Sequence, residues 1–168
     1  MSGECTFACE ISEDRKHASI VAAGREQDGP RVVVDLVWYD HPRGAVARLA
    51  ELGVKHDPIA TVVDPRSQAA TLIRPLAEAG VFVTEPVTAD VAQAHGSFLD
   101  LVNDGALAHL NQPPLTAAVR AAQQRPLAGA QALERRLVVD QSPLMAAELA
   151  VWAFMNWERL SAPGVWAM

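Results

Sequence analysis

The chain has 168 residues, of which 50% are hydrophobic and 20% are charged, the usual balance for one globular domain with a sizeable core. Its formal net charge of -6 argues against a strong non-specific grip on nucleic acid by charge alone, although bound divalent metal would offset some of that charge. No apolar run is long enough to span a membrane and the N-terminus does not resemble a signal peptide, so we expect a cytoplasmic protein.

The first forty residues predict an antiparallel meander of three strands. The strands are predicted at residues 6–12, 17–24 and 30–39, joined by a charged turn and a polar loop. In the first strand Phe7, Cys9 and Ile11 share one face, and Glu10 points to the other face among small residues. Cys5 and Cys9 lie too far apart on one strand to form a disulfide, so both are predicted to be reduced thiols facing the core.

After residue 40 the pattern changes to alternating helices and strands, which is typical of parallel pairing. The predicted elements are a helix at 45–52, a strand at 58–64, a helix at 68–79, a strand at 81–84, a helix at 88–102, a short strand at 107–110, a helix at 114–124, a strand at 133–140 and a helix at 144–159. This order predicts an α/β RNase H-like domain: a mixed sheet in which an antiparallel meander is followed by parallel strands, with helices on both faces.

Three acids are placed where chemistry is expected. Glu10 lies on the first strand, while Asp64 and Asp140 each end an apolar run just before a helix. Strand ends and helix starts meet at one edge of such a sheet, where ligands usually bind. Converging carboxylates repel unless cations lie between them, and oxygen ligands suit Mg²⁺ or Mn²⁺. Two such ions can drive phosphodiester hydrolysis. The alternatives are an edge-strand Glu10 in water, a turn-forming Asp64 and a helix-capping Asp140.

Several cations are candidates for DNA contacts, with solvated surface charge as the alternative for each. They are Arg15, Lys16, Arg43, Arg66, Arg135 and Arg136. Arg135 falls on the core-side register of the predicted strand 133–140, so its charge must find a partner unless that strand lies at an edge. Glu148 is spaced to act as an auxiliary acid, but a solvated helix residue is the favoured interpretation. His95 lacks metal-ligand spacing and is interpreted as an ordinary, partly buried residue.

Four segments together resemble a known family. They are ACEISEDRKHASIVAAG, ATVVDPRSQAATLIRPLAEAGVFVTEP, ADVAQAHGSFLDLVNDGALAHL and VVDQSPLMAAELAVWA. Their order and spacing are similar to the C-terminal nuclease domain of large terminase subunits, the DNA-packaging motors of tailed bacteriophages. The resemblance implies an RNase H-like nuclease that cuts concatemeric double-stranded viral DNA with divalent metal, Mg²⁺ or Mn²⁺. It places the catalytic and metal-binding triad on Glu10, Asp64 and Asp140. It also implies a terminase ATPase domain, a small terminase subunit and a portal as partners, in the host cytoplasm.

Two departures from that family set further expectations. The family usually has Asp at the first triad position, where this chain has Glu10, whose extra methylene moves the carboxylate outward. No G-x-x-x-x-G-K-[ST] phosphate loop occurs, so we expect residues 1–168 to form a single nuclease domain without an ATPase domain, with 161–168 as a loose tail. The alternatives are another RNase H-like nuclease, such as a resolvase or ribonuclease, and a catalytically weak module that binds DNA or the portal.

Overall fold

The computed structural model describes residues 4–161, with side chains through residue 157. Residues 162–168 of the expected tail, including Trp166, lie outside the described residues. The described chain contains a five-stranded sheet and a separate two-stranded hairpin.

The five-stranded sheet is mixed, and its strand order is β4-β1-β2-β3-β5. Its strands are Cys5–Ile11 (β1), Ala18–Arg25 (β2), Val32–Asp40 (β3), Ala60–Val62 (β4) and Leu107–His109 (β5). β1, β2 and β3 form the predicted antiparallel meander, whereas β4 runs parallel to β1 and β5 runs parallel to β3. The predicted α/β RNase H-like arrangement is therefore confirmed, and β1 lies between β2 and β4.

Helices cover both faces of this sheet, as predicted. They are Ala45–His56 (α1), Ile73–Glu78 (α2), Thr88–Asn103 (α3), Pro113–Ala121 (α4) and Ser142–Ser161 (α5), with short 3-10 helices at Pro42–Gly44 and Gln68–Leu72. On one face Phe7 and Ile11 pack with Leu49 of α1, and both cysteines are buried there as free thiols.

The long helix α5 packs on the opposite face, which carries Thr6, Ala8 and Glu10. Alanines at 146, 147, 150 and 153 are fully buried there, and such small side chains let a helix approach a sheet closely. The approach is close enough for the Thr6 hydroxyl to donate to the backbone oxygen of Ala150 at 2.7 Å. Glu10 is thus enclosed between the sheet and the helix that follows Asp140.

The prediction of a strand at residues 133–140 is wrong. The structure instead has a hairpin of Gln124–Leu127 (β6) and Ala130–Leu133 (β7), turning through Ala128 and Gly129, both with positive φ. Residues 134–141 then form no regular element. Thr84 forms a parallel bridge to Val62 and so occupies the edge of β4 where a further strand would pair. This single bridge is the only part of the predicted strand 81–84 that pairs with the sheet. Without such a further strand at this edge, Val138 is fully exposed.

Candidate functional site

Glu10 is a fully buried acid with no hydrogen-bond donor. It lies on the α5-facing side of β1, and both of its carboxylate oxygens lack a partner. The nearby Ser67 hydroxyl donates instead to the backbone oxygen of Asp64 at 3.0 Å. Burial raises the pKa of Glu10 to about 8, against the opposing positive charge of Arg135. An unpaired carboxyl in such a place is costly and is a marker for a binding site.

Asp64 lies beside Glu10 at the end of the neighbouring strand. The parallel register pairs Ala8 with Val62 at the end of β4, and its continuation by two residues would bring Asp64 level with Glu10. The two acids are close enough for the charge of Asp64 to raise the pKa of Glu10. Asp64 is also buried, at 1% exposure. One of its carboxylate oxygens accepts from the backbone N–H of Arg66 at 2.9 Å, and the Arg66 guanidinium is 3.3 Å from that oxygen. Of the three acids predicted to converge, the structure thus places Glu10 and Asp64 on neighbouring strands.

Arg135 supplies the strongest contact to this pair. Its Nη2 lies 2.6 Å from Asp64 Oδ2, and its Nη1 donates to the backbone oxygen of Arg66 at 3.4 Å. The side chain is only 15% exposed. The sequence predicted that the charge of Arg135 needs a partner unless the strand 133–140 lies at an edge. That strand does not form, and Arg135 instead pairs with Asp64 from an irregular segment.

Asp140 lies at the same end of the sheet, but its carboxylate is hydrogen-bonded to Ser142 and Tyr39 rather than to arginine. It is half-buried and accepts from the backbone N–H of Ser142 at 2.8 Å, the Ser142 hydroxyl at 3.0 Å and the Tyr39 hydroxyl at 3.1 Å. Ser142 in turn accepts from Ser19 at 2.8 Å, and Ser19 is the cross-strand partner of Glu10. Burial and the charge of Asp140 raise the pKa of Tyr39 to about 12, which keeps its hydroxyl a donor.

The donor set fits a hard divalent cation in part. Glu10 and Asp64 offer carboxylate oxygens side by side, and both oxygens of Glu10 lack a hydrogen-bond donor. Yet among the side chains described, those of residues 4–157, no group of three His, Cys, Asp or Glu is arranged so that it could hold a metal ion. Asp140 is bonded to Ser142 and Tyr39, and Arg135 occupies one oxygen of Asp64.

A cavity of about 540 Å³ opens beside Asp64 and is lined with arginines. Among the predicted DNA-binding residues, Arg66, Arg135 and Arg136 line this cavity, and Arg125 joins them. Bidentate guanidinium donors suit phosphate oxygens.

The other predicted DNA-binding residues lie outside the cavity wall. Arg15 is bound to the backbone and side-chain oxygens of Gln68 at 3.1 and 3.0 Å. Lys16 pairs with Asp14 at 3.6 Å. Arg43 is exposed on the 3-10 helix Pro42–Gly44.

Sequence reasoning missed a buried hydrogen bond between Glu148 and His95. Glu148 and His95 are 5% and 4% exposed, and His95 Nδ1 lies 2.9 Å from Glu148 Oε1. The interpretation of Glu148 as a solvated helix residue is therefore wrong, and His95, expected to be partly buried, is buried. Burial raises the pKa of Glu148, while the hydrogen bond to Glu148 raises the pKa of His95. The sequence contained a signal, since α5 is apolar all round, which is typical of a buried helix.

Arg125 was also missed. It lies on β6, just after the predicted helix 114–124, and its Nε donates to the backbone oxygen of Leu133 at 3.2 Å. The hairpin thereby places a fourth arginine in the wall of the cavity.

Comparison with known proteins gives structural likeness only. No protein-family model matches the chain, and no curated protein matches it by sequence. The large terminase of bacteriophage HK97 superposes with a TM-score of 0.71 at 16% identity, covering 91% of this chain and 40% of that one. The large terminase nuclease of thermophilic phage G20c with bound magnesium gives 0.66 at 14% identity, covering 89% and 80%. The SPP1 large terminase nuclease domain with bound Mn gives 0.59 at 15% identity, covering 88% and 85%.

This chain has the fold of a phage large terminase nuclease domain. The fold match runs across about nine-tenths of the sequence and agrees with the resemblance drawn from its four segments. The chain spans 40% of the length of the HK97 large terminase. None of the described helices is both long enough and apolar enough to cross a membrane.

Proposed function

We propose that this chain is a divalent-metal-dependent endonuclease that cleaves double-stranded concatemeric DNA during phage genome packaging. The observation that supports it most is Glu10, a fully buried carboxyl with two unpartnered oxygens beside Asp64. Without a ligand at this position, the protein would bury an unpartnered carboxyl, which lowers the free energy of unfolding. The fold is shared with nuclease domains whose structures contain magnesium or manganese.

In this proposal Glu10, Asp64 and Asp140 are the metal ligands, and Mg²⁺ or Mn²⁺ is the cofactor, as two ions. Bound divalent ions supply an activated water and neutralise charge on the leaving oxygen. The chain itself holds the carboxylates at the end of the sheet, with Ser142 and Tyr39 orienting Asp140. The cavity arginines bind phosphates and thus position the backbone for cleavage.

Partners follow from the same proposal. The terminase ATPase domain, the small terminase subunit and the portal would deliver DNA and choose the cut position, and the reaction would take place in the host cytoplasm. An acidic chain of net charge -6 has little non-specific hold on DNA of its own.

Cleavage of supercoiled plasmid tests the activity. The wild-type chain is incubated with Mn²⁺, Mg²⁺ or EDTA beside Asp64→Asn and Asp140→Asn. Asp100→Asn is the matched control, because Asp100 is an exposed acid near the far end of α3. We expect nicked and linear products with metal, none in EDTA, and a loss of at least about 100-fold in both site variants.

The outcomes separate the proposal from its alternatives. Activity that survives Asp64→Asn would mean that the site lies elsewhere. A folded wild-type chain that cuts four-way junctions or RNA–DNA hybrids but not plasmid would favour a resolvase or a ribonuclease. DNA binding without cleavage in any metal would favour a catalytically weak binding module.

A further inference from the structure

Arg135 stands where a cation is needed. Asp64 and Glu10 are two buried carboxyls on adjacent strands, and Arg135 carries the positive charge that acts on both. Its contact with Asp64 Oδ2 at 2.6 Å is at the short end for a charge-assisted hydrogen bond. Buried carboxylates without a nearby cation would be strongly destabilising. Arg66 contacts only the other oxygen of Asp64, at 3.3 Å, so Arg135 is the cation that balances both acids without metal.

The same contact makes Arg135 a competitor for metal. A guanidinium bonded to Asp64 Oδ2 occupies the lone pairs that a divalent ion would use. Two cations at contact distance from one carboxylate oxygen also repel each other strongly in a buried place. Arg135 lines all three cavities around the acids: the large one beside Asp64, a small one beside Glu10 and a third beside Asp140. It therefore borders the space beside each of the three proposed ligands.

The chain around Arg135 permits its departure. The residue lies two positions after the end of β7, in the irregular segment 134–141, so moving it breaks no strand pairing. The cavity of about 540 Å³ on its outer side gives the side chain room to swing away from Asp64. The hydrogen bond to the Arg66 backbone is long, at 3.4 Å, and provides little further restraint.

We propose that Arg135 is the resident counter-cation of the acidic site, and that a divalent ion binds Glu10 and Asp64 only when the guanidinium leaves Asp64. The inference rests on the proposed metal centre. It adds a positioning residue that sets metal affinity and couples metal binding to the segment 134–141. Metal-free and metal-bound forms then differ in where Arg135 lies.

Calorimetric titration with Mn²⁺, without DNA, measures this competition directly. Arg135→Met removes the charge and provides no oxygen ligand of its own. Arg74→Met is the matched control, because it takes one arginine from an exposed pair with Glu78 and changes the net charge equally. We expect Arg135→Met to bind Mn²⁺ at least about 10-fold more tightly than the wild type, since a charge-assisted bond no longer competes. Arg74→Met should match the wild type, and adding Asp64→Asn to Arg135→Met should abolish the gain.

Thermal unfolding provides a second measurement. In EDTA, Arg135→Met should melt below the wild type, and saturating Mn²⁺ should raise its Tm by more than it raises that of the wild type. If Arg135→Met does not fold, Arg135→Lys is the second variant, because it keeps a positive charge but lacks the planar guanidinium. We expect Arg135→Lys to bind Mn²⁺ more tightly than the wild type does. If the folded Arg135 variants bind Mn²⁺ no more tightly than the wild type does, the inference about Arg135 is overturned but the proposed function is not. No Mn²⁺ binding by the wild type or any variant would overturn it together with the proposed function.

Discussion

At position 10, a buried acid makes the stability of the metal-free protein depend on pH. The pKa of Glu10 rises from 4.5 to about 8 on folding, because burial disfavours the charged form. Between these values the folded protein binds more protons than the unfolded chain, so the stability that Glu10 contributes falls as pH rises. Glu10→Gln removes this titration. In EDTA at pH 9 we therefore expect the variant to exceed the wild type by about 4–5 kcal/mol in unfolding free energy.

Urea denaturation at pH 5 and pH 9 measures this difference. Near pH 5 most of the advantage of Glu10→Gln should vanish, because the carboxyl is then neutral in the folded protein. Asp100→Asn, an exposed acid, should change stability little at either pH. An advantage of the same size at both pH values would contradict a raised pKa at Glu10.

The sequence predicted part of the site at this scale. An acid in an otherwise apolar strand identified Glu10, and the alternation of the strand identified the side to which it points. Arg135 could be recognised as a charge in need of a partner. Its partner could not be identified, because Asp64 and Arg135 lie far apart in the sequence and meet only through tertiary structure. The bonds that hold Asp140 depend on Tyr39 and Ser142 in the same way.

At the scale of elements, helices and strands were predicted correctly where one face of the element is buried. The meander, the parallel strand β4 and the helices were predictable because hydrophobic periodicity reports burial. The segment 133–140 alternates in the same manner, yet no neighbouring strand is available to it, since Thr84 occupies the edge of β4. Local pattern contains no information on which sheet edges are free. The hairpin β6–β7 was missed because its Ala-Gly turn lacks the usual hairpin residues.

The buried pair of His95 and Glu148 ties three elements together. His95 is on α3, Glu148 is on α5, and the other His95 nitrogen lies 3.0 Å from the side-chain amide of Gln124 on β6. We expect His95→Leu to destabilise the protein by about 3 kcal/mol at pH 7, because it leaves Glu148 buried without its partner. The double variant His95→Leu/Glu148→Leu should recover a large part of this loss, since it removes the unpartnered carboxyl as well.

A double-mutant cycle by urea denaturation tests that expectation. His109→Leu, an exposed histidine on β5, is the control and should cost less than about 1 kcal/mol. If the double variant is less stable than His95→Leu alone, the pair does not act as a compensating unit, and Glu148 has contacts that matter independently of His95.

At the scale of the whole molecule, the charge distribution sets how DNA can approach. The net charge is -6, yet Arg66, Arg125, Arg135 and Arg136 gather around one cavity beside the acids. Binding that depends on such a local cluster should be weak and should fall steeply with salt, because each arginine that meets a phosphate releases counterions. Removing one phosphate-binding arginine should lower the slope of log affinity against log salt by about 1.

Arg136 provides the cleanest test of whether DNA binds along the cavity arginines, because it is exposed and lines the cavity. With a short fluorescent duplex in EDTA, where metal-dependent cleavage is blocked, Arg136→Gln should weaken binding and reduce the salt slope by about 1. Arg74→Gln makes the same charge change on α2 and should leave the slope unchanged. Arg43→Gln distinguishes the cavity from the remaining surface, since Arg43 lies outside the cavity wall. If Arg43→Gln reduces the slope and Arg136→Gln does not, DNA follows another path across the protein and the cavity arginines serve only to balance the buried acids.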